Sequence, residues 1–72
     1  MQQRKTSVIP AAPVARILMN AGAKRVSAKA SKEFANIIYN LAFEIGEKAN
    51  LIARHSGRKT VQGDDIRLAA RK

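Results

Sequence analysis

Two pairs of adjacent bases, Lys24-Arg25 and Arg58-Lys59, stand out among the polar side chains of this 72-residue sequence. Each pair closely follows a glycine, Gly22 or Gly57, and comes just before a β-branched residue. Because glycine readily adopts the positive φ that ends a helix, both pairs are expected in loops. Guanidinium and ammonium groups in loops bind phosphate oxygens through charge-assisted hydrogen bonds. The two pairs therefore predict the binding of an anion rather than catalysis.

The charge balance of the whole chain indicates what kind of anion this is. The sequence has 14 lysines and arginines against 5 acidic residues, a formal net charge of +9. A charge excess of this size favours a polyanionic partner, with nucleic acid in first place. An anionic membrane surface and solubility through charge alone are the alternatives that charge by itself leaves open.

No group of residues suggests an enzyme or a metal centre. The sequence has no cysteine and a single histidine, His55. Asp64 and Asp65 are adjacent to each other, but no nucleophile or base accompanies them. Catalysis needs such groups in one place, and structural zinc needs several Cys or His ligands. The apolar runs are too short for a signal peptide or a membrane-spanning helix. We therefore expect no enzymatic activity, cofactor, metal or small-molecule substrate, and no membrane partner.

The element that positions both base pairs is a long amphipathic helix, predicted from a Ser27 cap to His55. Its apolar residues recur every three or four positions and so line one side. Ser27 can accept a hydrogen bond from the first turn, and Gly57 can end the last turn. Such a helix measures about 43 Å, more than the diameter of a compact domain of this size. With no disulfide or metal to stabilise it, the chain is expected to oligomerise. The apolar residues are Phe34, Ile37, Ile38, Leu41, Ile45, Ala49 and Ile52.

A shorter helix is predicted on each side of the long one, which makes the fold class all-α. The first is preceded by Pro10 and ends near Gly22, and the third begins near Gln62 and includes Arg71 and Lys72 in its last turn. The threonine and valines of the two loops favour extended backbone, so each loop is expected to form a short strand segment where a second chain pairs with it. Residues 1–8 are expected to form a flexible basic tail, and residues 9–72 the folded domain.

Three runs of residues together resemble the archaeal histones, and the resemblance extends without gaps from about Ile9 to Arg71. It implies an all-α histone fold of short helix, loop, long central helix, loop and short helix, which forms a handshake homodimer. It also implies that the dimers bind and wrap double-stranded DNA largely without sequence specificity. They would compact the chromosome, in the cytoplasmic nucleoid, through dimer-dimer assembly into nucleosome-like or rod-shaped particles. A histone paralogue is the alternative partner. The runs are Pro13-x-x-Arg16-Ile17, Ala21-Gly22-Ala23-x-Arg25-Val26-Ser27, and Arg54-His55-Ser56-Gly57-Arg58-Lys59-Thr60-Val61 followed by Asp65-Ile66.

The resemblance assigns one set of residues to DNA binding and another to the contact between dimers. Arg25 and Thr60 match loop residues at the minor groove, and Arg58 also matches the partner of Asp65 in an internal ion pair. The division of Arg58 between DNA and the ion pair stays open here, and His55 has a second interpretation as a cation at the end of the long helix. The DNA-binding set is Arg16, Lys24, Arg25, Arg58, Lys59 and Thr60, and the dimer-dimer set is Ile52, His55, Asp65 and Leu68.

Two departures from typical relatives bear on assembly rather than on wrapping. The sequence stops at Arg71-Lys72, a few residues sooner than in typical relatives, which is expected to shorten the third helix and weaken the contact between dimers, and which leaves the number of dimers in a particle open. Phe43 occupies a position on the long helix that is often polar in the family, so either an additional apolar contact or an exposed apolar patch is expected there.

A helix-turn-helix regulator and a small RNA-binding protein are the competing classes of nucleic-acid-binding protein. The first needs base-contacting side chains at the start of a recognition helix, where this sequence has Gly63, Asp64 and Asp65. The second commonly stacks bases on aromatic side chains, for which Tyr39 is the one candidate outside the predicted core. Both classes fit the sequence less well than the histone interpretation.

Overall fold

A computed structural model of the protein describes residues 9–71. It contains α1 (Ala11–Asn20), α2 (Ala28–His55) and α3 (Gly63–Ala69). The predicted order of short, long and short helix is thereby confirmed. The predicted tail, residues 1–8, and Lys72 lie outside the described residues.

The first turn of α2 is capped as its sequence predicts. The Ser27 hydroxyl accepts a hydrogen bond of 3.0 Å from the backbone N–H of Ala30, one of the donors that a helix start leaves without a partner. α1 begins differently, because Pro10 precedes it with an extended backbone at φ −64° and ψ 145°. Pro13 lies in the first turn of α1, where its missing N–H costs nothing.

Both loops open with the same glycine-containing turn. Gly22 and Gly57 have φ values of +120° and +77°. After α1, Gly22 N–H donates to Met19 C=O at 3.0 Å and Ala23 N–H donates to Leu18 C=O at 3.0 Å. After α2, Gly57 and Arg58 make the equivalent bonds, to Arg54 and Ala53, at 2.9 Å each. This pair of bonds is the Schellman motif, and it places both basic pairs directly beyond a helix end.

The described chain divides into two compact units, and the first comprises residues 9–40, with α1, the first loop and the first half of α2. Its buried residues are Val14 on α1 and the pair Ser31 and Ala35, one turn apart on α2. Small side chains at these two positions let α1 pack closely on α2. No fully buried side-chain polar atom lacks a hydrogen-bond partner within the described residues.

The second unit, residues 41–71, repeats this arrangement with α3. Ala49 and Ala53 lie one turn apart on α2 and are buried, as are Ala69 and the carboxylate residue Asp65 of α3. Here too, small residues on one side of α2 receive a short helix. A buried aspartate in such a small core needs a partner of opposite charge.

Much of the apolar surface of α2 stays uncovered in the single chain. Nine large hydrophobic residues of the described chain are between 39 % and 54 % exposed, and four of them, Ile37, Leu41, Phe43 and Leu51, lie on α2. Val14, by contrast, is the one large side chain that is fully buried among the described residues. A core this small cannot stabilise a chain of 72 residues, so the exposed faces require a second chain.

The structure corrects the predicted end of α3. The helix stops at Ala69, with Ala70 as its C-cap, so Arg71 lies beyond the last turn and Arg67 is the base within it. The N–H of Arg71 bonds to Leu68 C=O at 3.2 Å, a tight turn that consumes a terminal carbonyl. Neither described loop contains a strand in the single chain. The expected strand segments, which depend on pairing with a second chain, remain a prediction.

Candidate nucleic-acid interface

The first loop presents its bases directly to solvent. Lys24 and Arg25 are both exposed, as is Arg16 on α1. None of the three forms an ion pair with an acidic residue in the described part of the chain. Their charges are therefore available to an external anion.

A shallow hollow lies beside these bases within the first unit. Most of the residues that line it are apolar, and Arg25 is one of them. A surface of this kind can receive a short extended segment from another chain, with the guanidinium left at the rim. Its lining residues are Leu18, Ala23, Arg25, Val26, Ser27 and Ala30.

The second loop is held by Arg58. Its Nη1 donates to Asp65 Oδ2 and its Nη2 donates to Asp65 Oδ1, each at 2.9 Å. Nη1 also donates to the backbone carbonyl of Thr60 at 3.1 Å. This bidentate geometry is the strong form of an arginine–carboxylate pair, and it joins the beginning of the loop to α3.

Asp65 completes this clamp from the α3 side. Its Oδ2 also accepts the backbone N–H of Gln62 at 2.8 Å, which satisfies a free donor at the start of α3. The hydrogen bonds from Arg58 and from the Gln62 backbone lower the pKa of Asp65 from 3.8 to about 2. The hydrogen bond to Asp65 likewise raises the pKa of Arg58. Both groups are charged across the physiological pH range.

This geometry bears on the role that the sequence leaves open for Arg58. Its side chain is 33 % exposed and makes three internal hydrogen bonds, whereas Lys59 and Thr60 are exposed. The exposed residues are the ones free to contact a ligand. Arg58 positions the loop backbone that carries them, and a third of its side chain remains exposed.

Sequence reasoning missed two parts of the clamp, namely the Thr60 carbonyl and the Gln62 N–H. The sequence did contain a signal for the Gln62 N–H, because an acidic residue three positions after a helix cap is the acceptor half of a capping box. Gln62 and Asp65 have this spacing. The sequence contained no signal for the Thr60 carbonyl, since the carbonyl of any loop residue can serve as an acceptor.

The residues predicted to join dimers all belong to the second unit. Ile52 is half-buried and His55 is exposed, both near the end of α2, and Leu68 is half exposed on α3. Asp65 differs from them, because its side chain is only 4 % exposed and faces Arg58. Three of the four residues are thus accessible to another protein surface.

The described residues contain no group of three or more His, Cys, Asp or Glu side chains that could hold a metal ion. Among them, too, no helix is long and apolar enough to span a membrane.

Two comparisons with known proteins show what this chain is similar to. Residues 7–70 match the family described as histone-like transcription factor (CBF/NF-Y) and archaeal histone. The chain is 48 % identical over 63 residues to one of the subunits of archaeal histone HAN1 from Thermococcus zilligii, a match that covers 88 % of this chain and 94 % of that protein. It is 46 % identical, with the same coverage, to "Probable archaeal histone 3" of Methanocaldococcus jannaschii.

Proposed function

This chain belongs to the family of histone-like transcription factors and archaeal histones, and we propose from that premise that its dimers wrap double-stranded DNA around the surface formed by their two kinds of loop. Membership of this family establishes the general properties of the protein. The protein is an archaeal histone with an all-α histone fold, it binds DNA and forms histone dimers, and it is not an enzyme. It is accordingly a chromatin protein, and we assign it to the cytoplasmic nucleoid.

The observation that carries the proposal is the contrast between the two basic loops. In the first loop, Lys24 and Arg25 are exposed and without ion pairs. In the second, the bond from Arg58 to Asp65 holds the backbone while Lys59 and Thr60 face solvent. In a handshake dimer the first loop of one chain lies beside the second loop of its partner. Each such pair offers DNA a rigid platform with several free donors.

The chemistry of these residues supports binding that is largely indifferent to sequence. Arg25, with Thr60 of the neighbouring loop, is suited to the minor groove, where arginine responds to groove width and negative potential. Arg16, Lys24 and Lys59 supply charge for phosphates, which carry no sequence information. The described helices offer no row of base-reading side chains, and α3 begins with Gly63, Asp64 and Asp65.

Assembly beyond the dimer is the second part of the proposal. We place Ile52, His55 and Leu68 at the contact between dimers, with Asp65 beneath them as the residue that holds α3 in position. Dimers joined in this way form nucleosome-like or rod-shaped particles with DNA outside, and so compact the chromosome. The domain in this proposal spans residues 9–72.

The partner within the dimer is proposed to be a second copy of this chain. The relative from Thermococcus zilligii is named as one subunit of its histone, which describes that protein as part of a larger assembly. A histone paralogue is therefore the alternative partner. Native mass spectrometry of the protein alone distinguishes the two, because a homodimer-forming chain gives a dimer peak and a chain that needs a paralogue gives a monomer.

Nuclease protection tests the wrapping itself. The protein is mixed with long duplex DNA, digested with micrococcal nuclease, and the lengths of the protected fragments are read. We expect a ladder with a regular increment, one step for each added dimer. A single fragment length would support wrapping but exclude open-ended assembly. Complete digestion would refute wrapping altogether.

A further inference from the structure

Positive charge is concentrated in one short stretch of the first unit. The nine residues from Lys24 to Lys32 include four bases, namely Lys24, Arg25, Lys29 and Lys32, and no acid. Lys24 and Arg25 belong to the loop described above, whereas the two lysines lie in the first turns of α2. All four side chains are exposed.

These charges are not neutralised within the described chain. Its two ion pairs, Arg58 with Asp65 and Arg67 with Asp64, both lie in the second unit. Glu33 follows Lys29 by four residues on the same side of α2, but the two form no ion pair. Lysine before glutamate is also the less favourable order for such a pair. No ion pair among residues 9–40 accounts for Lys29 and Lys32.

The position of the two lysines is unfavourable for the isolated helix. The start of a helix carries partial positive charge and favours acidic residues, yet the first turn of α2 contains none. The backbone N–H of Ala30 at this end already donates to the Ser27 hydroxyl, so the cap of the helix does not depend on a lysine. Lysines placed here repel the helix dipole and each other. A bound anion attracts both lysines and the positive end of the helix dipole, and so offsets both repulsions.

We propose that Lys29 and Lys32 extend the DNA-binding surface of the first loop along the first turns of α2, where each binds a backbone phosphate beside the groove that Arg25 enters. The two lysines lie three residues apart, on neighbouring positions of one helix face, and both are exposed, whereas Ser31 and Ala35 are buried. They lie within about 8 Å of Ser27 along the helix axis, and duplex DNA presents a charge about every 1.7 Å of its own axis. The same duplex that contacts the loop thus brings phosphates within reach of both ammonium groups. This inference rests on the proposed function.

The test measures how steeply DNA affinity depends on salt. Binding of the full chain to a duplex short enough for one dimer is followed by fluorescence anisotropy at several KCl concentrations. A dimer presents each residue twice, and each phosphate contact contributes about 0.9 to the slope of log affinity against log salt. We expect Lys29→Gln and Lys32→Gln each to reduce the slope by about 1.8. Their melting temperatures should equal or exceed that of the unmodified protein, because a repulsive charge is removed.

Two further variants make the outcome decisive. Lys48→Gln removes the same charge from an exposed position in the second half of α2, where Glu44 and Glu47 accompany it. It should change the slope by less than half as much. Arg25→Ala tests the proposed function itself. If Arg25→Ala reduces the slope while Lys29→Gln and Lys32→Gln do not, the extension is wrong and the loop surface stands. If Lys48→Gln has the same effect as the two lysine variants, the effect is general charge and the extension is again wrong. If Arg25→Ala also has no effect, the proposed loop surface fails as well.

Discussion

Arg58 and Asp65 are seven residues apart and joined by two hydrogen bonds of 2.9 Å, so that the second loop closes on the helix that follows it. The side chain of Asp65 is almost entirely covered, at 4 % exposure, while Arg58 keeps 33 %. The carboxylate thus belongs to the core of the second unit and the guanidinium to its surface. Removing either partner leaves the other charge without compensation, which is the costly way to break such a pair.

Replacement of Asp65 by asparagine should therefore destabilise the protein without DNA. Asparagine keeps the size of the side chain but loses the charge that Arg58 binds. We expect the melting temperature of Asp65→Asn to fall by several degrees in thermal unfolding followed by circular dichroism. Asp64→Asn is the matched control. Its carboxylate is 94 % exposed and pairs with Arg67 at 3.5 Å, a geometry that contributes little, so its melting temperature should stay nearly the same.

Acid should destabilise the protein through the same carboxylate. Asp65 has its pKa lowered from 3.8 to about 2 by the bonds from Arg58 and Gln62. Because the unfolded chain takes up this proton first, the stability that the bonds contribute is complete above about pH 4 and is lost as the pH falls towards 2. Urea titrations between pH 2 and pH 6 should show this decline. In Asp65→Asn the decline should be smaller, and an equal decline would assign the acid sensitivity to other carboxylates.

Arginine and lysine should differ at position 58 in stability and at position 25 in DNA binding. Lysine cannot reproduce the bidentate pair with Asp65, so Arg58→Lys is expected to lower the melting temperature by several degrees. Arg25 has no such partner, and Arg25→Lys should unfold at an unchanged temperature. Lysine is also less suited than arginine to the minor groove, so Arg25→Lys should weaken DNA binding several-fold in anisotropy titrations. A fall in the melting temperature of Arg25→Lys would reveal a structural role for Arg25.

Gly46, inside α2, and Gly57, just beyond its end, should respond in opposite ways to replacement by alanine. Gly46 lies inside α2 with no atom within 4 Å of an added Cβ, whereas Gly57 has a φ of +77°. Alanine favours a helix interior over glycine by about 1 kcal/mol, so Gly46→Ala should stabilise the protein by roughly that amount. Alanine at position 57 must adopt a left-handed conformation and should destabilise it by about 1 kcal/mol or more. Denaturant titration measures both. A loss of stability in Gly46→Ala would mean that a second chain approaches the helix closely there.

The three helices, the start of α2 and the ends of α1 and α2 were predictable because the signals are local, whereas the end of α3 was not. Ser27 caps α2, and Gly22 and Gly57 end α1 and α2, as their types and positions indicate. Exposure was not predictable. Ile37 and Leu41 have the spacing of core residues but remain uncovered, because the surface that covers them belongs to another chain. Periodicity identifies an apolar side of a helix without saying which chain it packs against.

The candidate site divides in the same way. The basic loop pairs follow from composition and spacing, and the pairing of Arg58 with Asp65 from the resemblance to archaeal histones. Neither source indicated that the Thr60 carbonyl also binds Arg58. That bond depends on the path of the loop, which only the three-dimensional structure provides. Arg58 thus makes three internal hydrogen bonds, and its contact with DNA remains a prediction.

Leu68 and Leu51 allow a test of the contact between dimers. Both are leucines of the second unit with almost equal exposure, 50 % and 52 %, but Leu68 belongs to the proposed dimer-dimer set and Leu51 does not. A carboxylate at position 68 would be buried without a partner when dimers join, which is unfavourable by several kcal/mol. Leu68→Glu should therefore keep the dimer in native mass spectrometry and reduce the nuclease ladder to its shortest fragment. Leu51→Glu introduces the same charge at an exposed apolar residue of α2, so native mass spectrometry must first show that this variant also keeps the dimer; as a dimer it should retain the ladder. If both variants lose it, the added charge weakens DNA binding in general. If only Leu51→Glu loses it, the contact between dimers lies on the side of α2 that Leu51 occupies.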